Sequence, residues 1–407
     1  MSIAFCHEQL ANGLTIIAET NDDAHTASVG FFVRAGSRDE ETALMGVSHF
    51  LEHMMFKGTT HRSAEDVNRE FDEIGANYNA FTSHENTVYW AQVLPEYLPR
   101  AVDLIGHMLR PALRDKDFNM EKNVILEEIG MYEDRPQWRL QDTLIETYFA
   151  SHPLGFRVLG TAQSIKALGV EQMRNYFGHH YSPDNVIVAA AGQLEFDKFV
   201  RGVDSIAGQW QPTGASRIYD EPVIAGHDQS MTDAKLNRHY VVMMCPAPSA
   251  QDDRRYAAGV LVDVLGDVDG SRLYWALIDP GLADEADMSH YAQDHVGSYM
   301  VFASCDPDRA SEVEAILLKT LDDYVASIDA DELERTKNKI ATQVTLSGES
   351  PAGRMRSLGS QWTYLGQYFP LSEEIERVMA VTVEDVRDLA RDMPFRPRTI
   401  VRLGPNS

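Results

Sequence analysis

The pattern of apolar and polar residues along the chain predicts both strands and helices. Short apolar runs at Gly13–Ala18 and Ser28–Arg34 predict strands. The segment Gly46–Thr59 has a helical pattern and reaches Gly58, and a glycine is a common helix stop. Met120–Gly130 is predicted to be a second helix with one apolar side. The chain is therefore expected to combine helices and strands.

A similar order of elements recurs in the second half of the chain. Lys122–Asn123 in the second helix has a counterpart in Lys337–Asn338. In both places a break with proline follows, at Asp134–Pro136 and at Glu349–Pro351, and then another helix. This repeat, with strands in hairpins and helices in pairs, predicts two homologous α+β domains with mainly antiparallel sheets.

The length of 407 residues also favours two domains over one core. We expect a first domain at residues 1–207 and a second at 233–407. The segment 208–232 contains Gly, Pro and Ser and is expected to be a linker.

The composition and charge of the chain argue against several classes of protein. The formal net charge of −26 argues against a nucleic-acid partner, because the phosphates would be repelled. No apolar run is long enough to span a membrane, so no membrane association is expected. The N-terminus lacks the basic and apolar regions of a secretory signal, and three cysteines do not suggest a disulfide framework. A cytoplasmic location is expected.

The motif His49-Phe50-Leu51-Glu52-His53 carries most of the functional information. Residues four apart lie on one face of a helix, so both imidazoles can reach one metal ion. Glu52 stays on that face, close enough to hold a metal-bound water without being a ligand. The motif is the inverse of the commoner His-Glu-x-x-His arrangement. Zinc held by two histidines, a further carboxylate and an open position is the layout of a hydrolytic site.

The remaining carboxylate is expected from the second helix. Glu121 and Glu128 are seven residues apart and project along nearly the same stripe of a helix. Glu127 points about 100° away from Glu128 and is expected to face solvent. In the second half of the chain the corresponding helix, Gly259–Leu265, contains no histidine, and position 128 corresponds to Gln343. The second domain is therefore expected to keep the fold without the metal site.

The chain resembles the pitrilysin/insulinase family of zinc peptidases, especially the branch of the mitochondrial processing peptidase β subunit and similar bacterial enzymes. That family carries His-x-x-Glu-His and then a glutamate ligand at a nearly fixed distance. Here residues 54–127 intervene before Glu128, which takes the ligand position. The resemblance implies one zinc per chain held by His49, His53 and Glu128. It implies a zinc-bound water activated by Glu52, and a second acidic residue near the site at Glu121.

The segment Gly75–Ser83 resembles the family's Asn-Ala-x-Thr strand, whose edge pairs with extended peptide substrates. The resemblance implies peptide-binding roles for the strand residues, and His84 lies beside them in sequence and is a candidate to line the cleft. The candidate strand residues are Asn79, Ala80, Phe81 and Thr82.

One departure from the family pattern concerns substrate stabilisation. Active members usually carry an arginine and, seven residues later, a tyrosine, after a Ser-Arg-Leu sequence like Ser271–Leu273 here. The expected arginine aligns with Ile278 and the tyrosine falls near Asp284, so the pair is absent; Tyr291 or Tyr299 are possible substitutes.

The motifs favour a zinc endopeptidase that cuts short or unfolded peptides. Two alternatives stay open: a catalytic subunit that needs a partner carrying the Arg/Tyr pair, and a non-catalytic accessory subunit. The resemblance also implies assembly, because related single-chain enzymes use four such domains and this chain supplies two. We expect a homodimer, the common form of association, with a heterodimer of this chain and a related metal-free subunit as the alternative.

Overall fold

The computed structural model describes residues 3–324 and 327–406. They form two compact units. The first contains the described residues through Met131, then Phe156–Ile218 and Leu346–Phe369. The second contains Tyr132–Gly155, Tyr219–Thr345 and the described residues from Pro370 onward.

Two sheets contain the strands of the described residues, with the order β1-β2-β6-β3-β5-β4 in the first and β7-β11-β8-β10-β9 in the second. Only the β2–β6 and β7–β11 pairs are parallel in these sheets; the other neighbours are antiparallel. The strands are β1 (Ile3–Gln9), β2 (Thr15–Asn21), β3 (Ala27–Val33), β4 (Asn77–Thr82), β5 (Thr87–Val93), β6 (Val186–Gly192), β7 (Asp228–Thr232), β8 (His239–Ala247), β9 (Ala283–Ala292), β10 (Gly297–Cys305) and β11 (Thr399–Gly404).

Helices pack on both faces of each sheet. The α-helices of the described residues are α1 (Val47–Met55), α2 (Ala64–Glu73), α3 (Leu98–Met108), α4 (Asp115–Glu133), α5 (Pro136–Phe149), α6 (Ala162–Ala167), α7 (Val170–His180), α8 (Phe196–Ala207), α9 (Arg255–Gly266), α10 (Ala310–Asp323), α11 (Ala330–Gly348), α12 (Pro351–Leu365), α13 (Leu371–Ala380) and α14 (Val383–Asp392). Within the described ranges, no helix has the length and apolarity needed to cross a lipid bilayer.

The structure confirms the predicted α+β class and the two-domain repeat. Both α4 and α11 are 19 residues long, and Lys122 and Lys337 occupy the same position counted from the start of each helix. A shared lysine contact strengthens the correspondence. Lys122 Nζ donates to the carbonyls of Lys166 and Leu168 at the end of α6, and Lys337 Nζ donates to those of Met379 and Val381 at the end of α13. In both units a lysine thus satisfies carbonyls at the end of a short helix.

The compact units differ from the continuous segments 1–207 and 233–407 expected from the sequence. Helix α12 packs on the first sheet, where Met355 and Leu358 share a core with Phe32. Helix α5 packs on the second sheet, where Leu140 and Leu144 share a core with strand residues. Each sheet is therefore covered on one face by a helix from the other half of the chain. The predicted linker 208–232 also includes β7, which pairs with β11.

Because side chains alternate between the two faces of a strand, both faces of the first sheet carry apolar residues that must be buried by helices. Ile16 and Ala18 of β2 lie in the core formed with α1, α3 and α4, whereas Ile17 between them lies in the core formed with α12. A buried ion pair also joins α12 to this sheet, because Arg354 Nη2 lies 2.5 Å from Glu19 Oε2. Removing one partner would leave an uncompensated buried charge, which costs about 3–5 kcal/mol.

A substitution at Gly359 of α12 can test how tightly this helix packs on the first sheet. A Cβ at Gly359 would lie 2.1–2.5 Å from three ring atoms of Phe32. We expect Gly359→Ala to lower the free energy of unfolding by about 1–3 kcal/mol through overpacking. Gly259→Ala in α9 is the matched control, since its Cβ would meet nothing within 4 Å. The control is expected to stabilise by about 0.5–1 kcal/mol, because alanine favours helices. Urea unfolding of both variants checks this; equal effects would contradict tight packing at Gly359.

Candidate metal centre

The residue immediately before helix α1 has a backbone conformation that favours glycine. Gly46 has φ +93°, and a Cβ there would lie 2.6 Å from the carbonyl oxygen of Leu159. The buried carboxylate of Glu40 accepts hydrogen bonds from the backbone N–H groups of Gly46 and Ser48, both at 2.7 Å. Two of the N–H groups left unpaired at a helix start are thereby satisfied. The first turn of α1, which carries His49, is fixed in place.

The two faces of α1 have different environments. The side chains of Phe50, Leu51, Met54 and Met55 are at most 1% exposed, so this face lies in the core. The Phe50 ring stacks on Phe118 of α4, with centroids 4.7 Å apart. This contact holds α1 beside α4, and the polar face of α1 is thereby brought next to the acidic residues of α4.

Three side chains meet between these helices. Glu128 Oε2 lies 3.5 Å from His53 Nε2 and 3.9 Å from His49 Nε2. One ligand atom from each of the three residues lies within 4.8 Å of the other two. The structure thus brings together the three residues that the sequence predicts as metal ligands.

Glu121 contacts the other ring nitrogen of His53, Nδ1. His53 Nδ1 and Glu121 Oε1 are 2.9 Å apart, and because a carboxylate can only accept, the imidazole is the donor. Lys57 Nζ lies 2.6 Å from the other oxygen, Glu121 Oε2. Burial opposes ionisation of Glu121, but His53 and Lys57 outweigh burial and hold its pKa below the usual value. Because Nδ1 donates to Glu121, Nε2 is the ring nitrogen of His53 that faces Glu128, which is the usual arrangement of a metal-binding histidine.

His49 is also suited to binding a metal. Its burial, with a smaller contribution from His53, lowers its pKa to about 3, so the imidazole is neutral at physiological pH. His49 Nε2 and His53 Nε2 both face Glu128 Oε2, at 3.9 and 3.5 Å, and no hydrogen bond joins the three atoms in the described structure. A divalent cation between them would pair with all three groups. The donor set therefore fits a divalent metal of the zinc type.

Glu52 projects from the same face of α1 and is partly buried. Its Oε2 accepts a hydrogen bond from Thr82 Oγ1 at 2.6 Å. Burial raises the pKa of Glu52, and Thr82 and His53 oppose that rise. The carboxyl is therefore more basic than an ordinary glutamate and lies near His53 and Glu128, as a general base at this site would require.

The predicted peptide-binding strand is β4, which lies at the edge of the first sheet and pairs only with β5 among the described strands. Asn79 and Phe81 face outward, with Phe81 43% exposed, whereas Ala80 and Thr82 face inward. Asn79 Oδ1 accepts from the N–H of Ala80 at 2.8 Å. The main chain of β4 therefore has one edge without a neighbouring strand.

His84 lies in the turn after β4 rather than on the strand. Burial lowers its pKa to about 4, and its carbonyl accepts from the N–H of Arg38 at 2.7 Å. In the described structure its side chain has no hydrogen bond to the three converging groups. Its role in substrate binding stays a prediction.

The residues at the positions of the family's Arg/Tyr pair lie in the second unit. Ile278 ends a short helical turn, and Asp284 of β9 pairs with Arg238 at 2.9 Å. Of the two possible substitutes, Tyr299 is completely buried in β10, whereas Tyr291 on the edge strand β9 is 38% exposed. Of the two, only Tyr291 is exposed to solvent.

Sequence reasoning did not identify Lys57 or Glu40. Lys57 follows the motif by four residues, a spacing that could have placed it on the side of His53. Glu40 precedes the helix by a loop, and only the folded structure shows its carboxylate at the helix start.

Comparisons with known proteins agree with this geometry. The profile described as Insulinase (Peptidase family M16) matches residues 15–162, and that described as Peptidase M16 inactive domain matches residues 167–340. A protein of Streptomyces coelicolor named as an uncharacterized zinc protease is 33% identical over 97% of this chain and 88% of its own length. The zinc protease YmxG of Bacillus subtilis, also uncharacterized, is 31% identical over 97% of both chains.

Solved structures show the same fold. A protease from Helicobacter pylori has a TM-score of 0.91 at 19% identity, covering 99% of this chain and 100% of its own. A putative M16-like peptidase from Alicyclobacillus acidocaldarius has a TM-score of 0.87 at 22% identity, covering 100% and 99%. Because both profiles match in chain order and the two zinc protease relatives align over nearly the whole length, the chain belongs to the insulinase family of peptidases, family M16.

Proposed function

We propose that this chain is a zinc-dependent endopeptidase that hydrolyses short or unfolded peptides. The observation that carries the proposal is the convergence of His49, His53 and Glu128, with Glu52 on the same face of α1. Membership of a peptidase family and relatives named as zinc proteases support it.

His49, His53 and Glu128 would hold one zinc per chain and leave a coordination position open. Zinc, when bound there, would lower the pKa of a water molecule and polarise the peptide carbonyl. Glu52 Oε2 is occupied by Thr82, whereas Oε1 accepts no hydrogen bond from the described residues. Oε1 would take a proton from the attacking water and deliver it to the nitrogen of the leaving amine. Glu121 would keep His53 in the tautomer and orientation needed for binding.

An extended peptide would lie along β4. The free edge of this strand offers main-chain hydrogen bonds, which make little demand on the peptide's sequence. The outward side chains of Asn79 and Phe81 are placed to contact such a peptide.

A second candidate function is a zinc-binding subunit that needs a different partner. The absence of the Arg/Tyr pair favours it, because in a homodimer neither chain would supply those groups to stabilise the transition state. We propose the homodimer first, since two identical chains are the common form of association. Poor hydrolysis by the zinc-loaded chain alone, restored by a partner carrying the pair, would support the heterodimer.

The role of Glu121 is tested by metal affinity. We expect Glu121→Gln to weaken zinc binding about 10- to 100-fold, because loss of the charged acceptor frees the His53 ring. Glu127→Gln on the exposed side of the same helix is the matched control and should bind zinc like the wild type. Competition with a chromophoric chelator measures both constants. If the two variants bind zinc equally well, Glu121 has no part in the site.

The role of Glu52 is tested by separating binding from hydrolysis. Glu52→Gln should keep zinc, since it is not a ligand, and should lower kcat about 10²- to 10⁴-fold, the usual contribution of a general base. Zinc content and peptide hydrolysis are measured on the same preparations, with Glu127→Gln again as control. A Glu52→Gln variant that cleaves at the wild-type rate would refute the assignment. Zinc-loaded wild type without activity would favour the catalytic subunit that needs a partner, and wild type that binds no zinc would favour the accessory-subunit alternative.

Substrate form is tested with one protein in two states. Edge pairing needs an extended chain, so a small disulfide-bonded protein should be cut after reduction and alkylation but spared in its native form. Mass spectrometry of both digests follows the two rates. Equal cleavage of the native and unfolded forms would count against binding along β4.

A further inference from the structure

The side chain of Thr82, the last residue of β4, contacts helix α1. Side chains alternate along a strand, so Thr82 faces inward with Tyr78 and Ala80 while Phe81 faces out. The inward direction carries its hydroxyl to 2.6 Å from Glu52 Oε2. Hydroxyl-to-carboxylate hydrogen bonds of this length are short and charge-assisted, and are stronger than neutral ones.

This hydrogen bond limits the positions that Glu52 can adopt. A glutamate side chain loses about 1.5–2 kcal/mol of conformational entropy when held in one rotamer, so a partly exposed carboxylate needs a partner to stay in place. Thr82 Oγ1 is the only hydrogen-bond donor to this carboxylate among the described residues. Because Thr82 holds Oε2, Oε1 is the carboxylate oxygen left to take a proton from the attacking water.

The backbone around Thr82 is itself held by buried charges. The next residue, Ser83, accepts through its carbonyl from the N–H of Ser37 at 3.3 Å. Arg217 binds both oxygens of Asp39 at 2.8 Å and the carbonyl of Glu85 at 2.6 Å. The side chains of Arg217 and Asp39 are at most 5% exposed. The turn that follows β4 is therefore fixed against the loop that precedes α1.

We propose that Thr82 is a positioning residue that, through its hydroxyl, orients the Glu52 carboxylate for proton transfer. The inference rests on the proposed function of Glu52 as general base. It also assigns Thr82 a role different from direct substrate contact: the strand whose outer edge receives the peptide holds the base through its last inward side chain. The same strand would thereby position both the peptide and the general base.

Two substitutions of Thr82 separate the hydroxyl from the shape of the side chain. Thr82→Val keeps the branched shape and suits a strand, but it removes the donor. Displacing a catalytic group by about 1 Å can cost about 10²-fold in rate, so we expect kcat of Thr82→Val to fall about 10- to 100-fold. KM should change less than about twofold and zinc content should not change, because neither substrate edge nor ligand is altered. Thr82→Ser, which restores the hydroxyl, should recover most of the lost kcat.

A structural readout makes the test independent of activity. Crystal structures of the zinc-loaded variants should show the Glu52 carboxylate in the wild-type position in Thr82→Ser and displaced or in two conformers in Thr82→Val. A Thr82→Val enzyme with wild-type kcat, or with Glu52 unmoved, would overturn the proposal. If the wild type binds zinc and cleaves no peptide, the proposed function fails, and the Glu52 positions in the two variants still decide whether Thr82 orients it.

Discussion

The packing of α1 against α4 is the contact on which the candidate site depends. The candidate ligands come from two elements, because α1 supplies two imidazoles and α4 supplies the carboxylate. The stacked rings of Phe50 and Phe118 fix the spacing on the apolar side, and the hydrogen bond from His53 to Glu121 fixes it on the polar side. The buried apolar contact thus sets the distance at which the two imidazoles and the carboxylate converge.

The second unit shows what the same fold does without these groups. Helix α9 occupies the place of α1 and is apolar, with Val260, Leu261, Val264 and Leu265 at most 2% exposed. The lysine contact at the end of a short helix is kept in both units, whereas among the described residues the converging ligands occur only in the first. The contacts that build the fold and the residues that would bind metal are therefore separable in this chain.

Much of this arrangement could be predicted from local patterns. The placement of His49, Glu52 and His53 on one helical face follows from the helical period, and the internal repeat follows from the Lys-Asn pairs and the prolines after them. The family resemblance was needed to predict which glutamate of α4 takes the ligand position, because Glu121 and Glu128 share a stripe of the helix. The bond from Thr82 to Glu52 and the positions of α5 and α12 depend on contacts between residues far apart in sequence. No periodicity encodes such contacts, and the sequence therefore predicted continuous domains.

The location of α12 has a consequence for synthesis of the protein. The face of the first sheet that contains Ile17, Phe32 and Ile187 is covered by residues 351–365. A ribosome has made most of the chain before that helix exists. During translation this apolar surface stays open to water or to chaperones, so the first half cannot complete its core while it emerges. Truncation before residue 351 would leave the half that contains the candidate metal centre with an exposed sheet, although every candidate site residue would be present.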